Sequence, residues 1–224
     1  MRDFYPDVVA SEKTPRTPSQ ETYPLFQNFV RTHVDTIRKL IATRLVQTNV
    51  VRRTTCLLPI FALIAREAGN LPLSLIEIGT SAGLNLHWDR YHHRYEYPSG
   101  QHLEWGDQNS PVQLSTQVRG VVPLPLLPED LRIEWRTGID LNPIDVTDAD
   151  AMHWLRALVF PEHLDRQQTL EAAARVEREH PVPIVTGDAL THLHRLQSIR
   201  VYACTRQWCS TTSHPKSAKP YGLC

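Results

Sequence analysis

The stretch from Leu75 to Leu86, LIEIGTSAGLNL, constrains the fold more than any other part of this chain. An apolar run ends at Gly79, small residues lead to Gly83, and residues that suit a helix follow. This order predicts a strand, a tight turn and a helix N-terminus, where free backbone N–H groups favour an anionic or polar ligand. We therefore expect a ligand site at the glycine turn, which comprises residues 79–83.

Two classes of protein use a turn of this kind. As a G-x-x-x-G pattern behind a strand that contains Glu77, it resembles the cofactor loop of S-adenosylmethionine (SAM)-dependent methyltransferases. The same residues also match the G-x-S-x-G nucleophile elbow of hydrolases, with Ser81 as the nucleophile. Glu77 favours the methyltransferase interpretation, because a buried carboxylate needs a polar partner and SAM carries cationic groups.

Two further acidic residues stand where predicted strands end. Asp140, in GIDLNP, follows the second strand of the predicted sheet, where a carboxylate can accept hydrogen bonds from both ribose hydroxyls. Asp188, in TGDAL, follows the third strand, and in the methyltransferase interpretation it would lie near the adenine amino group. Each has a plainer alternative, an Asp-Asn-Pro turn for Asp140 and a helix cap for Asp188. Together with Glu77 they predict an acidic crevice along the carboxyl edge of a parallel sheet.

The hydrolase alternative needs an acid and then a histidine after Ser81. Asp140 or Asp188 could serve as the acid, and His192 or His194 as the base. Nothing in their spacing favours this arrangement, since histidines are plentiful in the chain. We keep the hydrolase as the weaker alternative, beside a non-catalytic binding protein of the same fold.

The histidine-rich run at residues 87–93 predicts no metal site. On a helix, His87, Asp89 and His92 do not share a face, because positions i and i+2 diverge. Two ligands are too few for a dedicated site. The four cysteines show neither metal-ligand spacing nor a disulfide pattern. With no signal peptide and no membrane span in the sequence, we expect a cytoplasmic protein.

The charge balance argues against nucleic acid as a partner. The 224-residue chain has 24 basic and 24 acidic residues, so its formal net charge is zero. Bulk electrostatics would not hold a polyanion on such a surface. The partner that we expect is a small-molecule cofactor, SAM, with a methyl acceptor that the sequence does not identify.

Helical and strand patterns alternate along the chain and predict an α/β fold with a parallel sheet. We expect a helical flank over residues 1–70, a Rossmann-like cofactor-binding domain over residues 71–199, and an atypical tail over residues 200–224. The predicted helices cover about residues 22–46, 51–68 (kinked at Pro59), 82–94, 149–159 and 165–180, and the predicted strands about 71–78, 131–136 and 182–185. Residues 96–131 predict a long irregular insertion, and a loop of that length is more often functional than idle.

Several motifs together resemble the bacterial DUF2332 family, which is usually regarded as methyltransferase-like. They are VQTN at residues 46–49, IEIGTSAGLNL at 76–86, DRY at 89–91, WG at 105–106, SPV at 110–112, GIDLNPIDV at 138–146 and GDA at 187–189. The resemblance implies a Rossmann-like, methyltransferase-type parallel sheet with helices on both faces. It also implies that Glu77, Gly79, Ser81 and Gly83 hold the amino-acid part of SAM, that Asp140 binds the ribose and that Asp188 lies at the adenine. The family has no settled substrate, and we name no catalytic residue.

Three departures from the family pattern stand out. The N-terminal helical segment is shorter than in the family, and Val50 replaces a glutamate that usually follows the Gln-Thr-Asn triplet. After about Ile199 the family continues with further strands, whereas this chain ends in a polar, aperiodic tail that a frameshift would explain. We therefore expect that the C-terminal part of the sheet is missing, which would make the chain an inactive fragment.

Overall fold

The computed structural model describes Phe4 and residues 16–119, 127–128, 131–193 and 202–206. Its α-helices are α1 (Thr22–Thr32), α2 (Val34–Thr43), α3 (Thr54–Glu67), α4 (Ala149–Ala157), α5 (Leu164–Glu179) and α6 (Ala189–His192), with 3₁₀ segments at Val51–Arg53 and Leu84–Arg90. Its strands are β1 (Leu73–Ile78), β2 (His92–Glu96), β3 (His102–Trp105), β4 (Gln113–Gln117), β5 (Ile133–Asp140), β6 (Ile184–Thr186) and β7 (Tyr202–Arg206).

Four parallel strands form the main sheet, in the order β6-β5-β1-β7. β1 therefore lies inside the sheet, between β5 and β7, and β6 and β7 form its two edges. The chain adds β5 and then β6 on one side of β1, and returns to the other side for β7. The predicted α/β class with a parallel sheet is confirmed, and the carboxyl ends of β1 and β5 lie side by side.

A second sheet of three strands occupies the region predicted as helix and irregular insertion. β2 pairs antiparallel with β3 and parallel with β4. The helix predicted over residues 82–94 is therefore wrong, because only the 3₁₀ segment forms and a strand follows it. Tyr91, His93 and Tyr95 alternate into the interior, and this period of two with aromatic rings is typical of a strand.

The remaining helix predictions agree with the structure except at the N-terminal flank. α4 and α5 lie within two residues of their predicted bounds. α3 ends within one residue of its predicted end, but the first three residues of that prediction form the 3₁₀ turn Val51–Arg53. The helix predicted over residues 22–46 divides at His33 into α1 and α2, neither of which has a buried residue. No described helix has the length and apolar character that crossing a membrane requires.

Two apolar clusters stabilise the fold. In the first, residues of α4 and α5 pack with the start of the Leu84–Arg90 segment, and in the second, residues of α3 pack with Leu73 and Leu75 of β1 and with the second sheet. β7 lies within the segment predicted as an atypical tail, where it supplies a fourth parallel strand. Residues 207–224 lie outside the described residues, so the proposed frameshift and truncation stay predictions.

Candidate functional site

The glycine turn begins directly after β1 and holds three residues with positive φ. These are Gly79 at 73°, Ser81 at 56° and Gly83 at 74°. The left-handed conformation suits glycine, whereas a serine there is uncommon. The turn leads into a 3₁₀ segment and not into the expected α-helix. The predicted α-helix N-terminus is therefore absent from this part of the chain, and the groups available to a ligand here are side chains and the backbone of the turn.

Glu77 is buried at the end of β1, with a side chain that receives two hydrogen bonds. Its residue exposure is 2%. Thr80 Oγ1 donates to Glu77 Oε2 over 2.7 Å, and Asn85 Nδ2 donates to Glu77 Oε1 over 3.1 Å. Burial raises the pKa of Glu77 to about 7, although both hydrogen bonds oppose the shift. Glu77 is thus an acid that exchanges its proton near neutral pH, and a bound cation would favour its charged form.

Asp140 is the last residue of β5 and lies across the sheet edge from the glycine turn. It is 3% exposed. Its Oδ2 accepts a hydrogen bond from Ser81 N (2.7 Å), and its Oδ1 accepts from Asn142 N and from Gln47 Nε2 (both 2.8 Å). Since a carboxylate has about four acceptor positions, these three donors leave little capacity. A ribose diol would fit Asp140 only after Gln47 has moved away.

Residues 44–50, which we call the strap, connect α2 to the first 3₁₀ segment and cover this edge of the sheet. Gln47 contacts Asp140, and Asn49 Nδ2 donates to the carbonyl of Thr80 over 3.2 Å. The strap is held at its other end by α4, because Trp154 Nε1 donates to the carbonyl of Leu45 over 2.9 Å. The sequence analysis placed Gln47 and Asn49 in a family motif and did not predict them as part of the site.

Four polar atoms around the glycine turn are buried without a hydrogen-bond partner. They are Gln47 Oε1, Asn49 Oδ1, Asn85 Oδ1 and Ser81 Oγ. Gln47 and Asn49 each donate from their nitrogen to an oxygen that only accepts, a carboxylate and a backbone carbonyl, which fixes their amide orientation and leaves the amide oxygen free to accept. Asn85 has the same arrangement when Glu77 is charged. Unpartnered buried polar atoms are rare and call for a partner. Three acceptors beside Glu77 suit a ligand that carries donors or a positive charge.

Asp188 is placed less centrally than predicted. Gly187 N donates to the backbone carbonyl of Asp140 over 2.8 Å, so the ends of β5 and β6 meet. The Asp188 side chain is exposed and accepts from Leu190 N over 2.9 Å as the N-cap of α6. The structure therefore brings Glu77, Asp140 and the turn together, while Asp188 lies at the margin and forms the helix cap that was its plainer alternative.

A buried His87–Glu177 pair supports the turn and was missed at the sequence level. His87 Nε2 hydrogen-bonds to Glu177 Oε2, and Glu177 Oε1 accepts from Val182 N over 3.0 Å. A Cβ at Gly83 would lie 3.3 Å from Ile184 Cδ1 and 3.6 Å from Glu177 Oε2. Gly83 thus allows the turn to approach α5 and β6 closely. The histidine run gave no signal for this pair, since its acidic partner comes from a distant helix.

The geometry does not assemble the predicted hydrolase among the described residues. Ser81 is fully buried, and its Oγ has no hydrogen-bond partner. The imidazole of His192 packs against Gly187, since a Cβ added at Gly187 would lie 2.5 Å from His192 Nε2. His194 lies outside the described residues. Within the same described ranges, no group of three or more His, Cys, Asp or Glu side chains is placed to bind a metal ion.

Comparison with known proteins gives one match. A family model described as an uncharacterised protein conserved in bacteria (DUF2332) matches residues 1–203. No curated protein and no solved structure matches the chain.

Proposed function

The chain belongs to the DUF2332 family of bacterial proteins, whose description states no activity, and we propose from the site that it is a methyltransferase-like protein that binds SAM. One observation carries this proposal. The glycine turn and two buried carboxylates, Glu77 and Asp140, meet at the ends of adjacent parallel strands. That is the edge at which open α/β sheets bind their ligands.

The strand order supports a Rossmann-like assignment. Counted in chain order among the parallel strands, β6-β5-β1-β7 is 3-2-1-4. This is the order with which doubly wound nucleotide-binding sheets begin, and their ligand lies where the order reverses. The reversal here falls at β1, so the glycine turn follows the strand that the topology favours.

The residues fit the amino-acid end of SAM better than its ribose. Glu77 and the acceptor oxygens of Asn49 and Asn85 suit an ammonium group, and the positive-φ backbone of the turn allows close approach. Asp140 suits the ribose hydroxyls once Gln47 has moved. SAM, when bound, supplies an electrophilic methyl group. The protein has to hold and orient the cofactor and the acceptor, and this positioning accounts for much of the rate of such reactions.

A thermal melt with and without millimolar SAM tests this proposal. A ligand that binds only the native state raises the melting temperature, and we expect such a rise for the wild-type chain. Asp140→Asn should retain cooperative unfolding and lose about tenfold or more in SAM affinity, because a hydrogen bond to a charged acceptor contributes about 1.5–3 kcal/mol. Asp35→Asn, on an exposed position of α2, is the control and should bind SAM like the wild type.

A second measurement separates this function from its alternatives. A fluorophosphonate probe labels activated serine nucleophiles, and we expect no adduct at Ser81. Covalent labelling of Ser81, or cooperative unfolding that SAM leaves unchanged, would contradict the proposed SAM site. Binding of SAM without methyl transfer to any acceptor would instead support the non-catalytic alternative.

A further inference from the structure

A cavity of about 360 Å³ lies between the strap, the 3₁₀ segment that follows it, and helices α4 and α5. Its floor is apolar and buried, since Val51, Leu155 and Leu170 are each at most 3% exposed. Its rim is apolar and open, with Val50 41% and Phe160 67% exposed. A recess of this size with an apolar wall and few polar groups is typical of a small-molecule site.

The charged side chains that line this cavity are both basic. Arg52 is paired with Asp165 over 3.3 Å, whereas the Arg166 guanidinium forms no ion pair with a described residue. No described acidic residue is part of the cavity wall. The cavity therefore combines an apolar interior with an uncompensated positive charge. This combination favours a ligand that is apolar in its body and negative at one end.

We propose that this cavity is a binding site for a small carboxylate with an apolar body. The carboxylate pairs with Arg166, because a guanidinium presents parallel N–H donors that match the two carboxylate oxygens. The apolar body covers the floor and contacts Phe160, which removes exposed apolar surface from water. The cavity adjoins the glycine turn at Asn49, whereas none of Glu77, Asp140 and Ser81 lines it, so the carboxylate site can be tested without SAM.

Isothermal titration with matched probes tests this site on the full chain. Phenylacetate and hexanoate carry the proposed charge, phenylacetamide is the neutral analogue, and phenethylamine carries the opposite charge at neutral pH. We expect at least one carboxylate to bind, with phenylacetamide and phenethylamine at least about tenfold weaker, as the loss of a charge-assisted hydrogen bond implies.

Variants then assign the binding to the cavity. Arg166→Gln should weaken carboxylate binding about tenfold, and Phe160→Ala should weaken it through lost apolar contact; both side chains are exposed, so the fold should tolerate the changes. Arg175→Gln, an exposed arginine of the same helix outside the cavity, is the matched control. The proposal is overturned if neither carboxylate binds a cooperatively folded chain, if phenethylamine binds as tightly, or if Arg166→Gln and Arg175→Gln bind alike.

Discussion

Gln47 occupies the acceptor position on Asp140 that a ribose would use, so the variant Gln47→Ala should bind SAM more tightly than the wild type. In the structure Gln47 Nε2 donates to Asp140 Oδ1 over 2.8 Å in a buried position. A hydrogen bond to a charged group contributes about 1.5–3 kcal/mol. SAM has to break this bond to reach Asp140, and breaking it makes the binding free energy of SAM less favourable by that amount.

The magnitude follows from that cost. Since about 1.4 kcal/mol corresponds to a tenfold change in affinity, a cost of about 1.5–3 kcal/mol means that removing the Gln47 side chain should lower the Kd for SAM by about ten- to hundredfold. The same change removes a native hydrogen bond and should lower the free energy of unfolding. For a chain of this length each 1 kcal/mol shifts the melting temperature by about 2–4 °C, so Gln47→Ala should melt roughly 5 °C lower without ligand.

Titration calorimetry with SAM and a ligand-free thermal melt measure the two effects. The matched control is Asn49→Ala, which also removes a strap hydrogen bond, but one to the backbone carbonyl of Thr80 and not to Asp140. This variant should lose stability and, because Asn49 Oδ1 is also a proposed contact of the SAM ammonium group, it should lose SAM affinity where Gln47→Ala gains it. If Gln47→Ala binds SAM as weakly as the wild type or more weakly, Gln47 does not compete with the ribose and the reasoning is wrong.

Three further predictions concern the same edge of the sheet. Burial raises the pKa of Glu77 from 4.5 to about 7, so between these values the folded state holds a proton that the unfolded state has lost. The contribution of Glu77 to the free energy of unfolding should therefore fall, by at most about 1.4 kcal/mol per pH unit, as the pH rises through this window. Burial lowers the pKa of His93 from 6.5 to about 4, which gives a slope of opposite sign over the lower part of this range. The test is therefore a difference: in chemical denaturation from pH 4.5 to 8, the free energy of unfolding should fall more steeply with pH in the wild type than in Glu77→Gln, and equal slopes would contradict the prediction. Gly138→Ala places a Cβ 2.4 Å from Thr80 Cγ2 and should destabilise the fold by about 1–3 kcal/mol. Adding Thr80→Ser, which removes that methyl group, should restore part of the loss, and an additive double mutant would refute the steric cause. His87→Leu leaves Glu177 buried without its histidine and should cost about 3–5 kcal/mol in a denaturant titration, whereas a loss under 1 kcal/mol would show that the pair contributes little.

The placement of Glu77, Asp140 and Asp188 at strand ends could be predicted from the sequence, because local patterns reveal where strands end. Glu77 and Asp140 both follow apolar or alternating runs, and both are buried at the carboxyl ends of β1 and β5. The strand order could not be predicted in the same way, since it depends on pairings between distant segments. Asp188 shows the limit of the pattern, because its strand end is real but its side chain caps α6.

The strap and the second sheet could not be predicted, for two different physical reasons. Gln47 meets a partner 93 residues further along the chain, and an amide between two helices carries no local sign of such a contact. In the second sheet, Trp88 and Tyr91 suit a helical spacing, while Tyr91, His93 and Tyr95 suit a strand. Tertiary contacts decide which of the two periods is adopted. One such contact is the hydrogen bond that the Tyr95 hydroxyl donates to the backbone carbonyl of Thr55 in α3.

The position of β1 also determines when the protein can fold during synthesis. Ser74 pairs with Trp135 of β5 on one side and with Tyr202 of β7 on the other. The strand that carries Glu77 therefore stays incomplete until residue 202 and its neighbours have left the ribosome. Contacts between such distant segments form slowly. During that interval the free edge of β1 is a template for pairing with other chains. We expect the nascent protein to require protection from aggregation until β7 has been made.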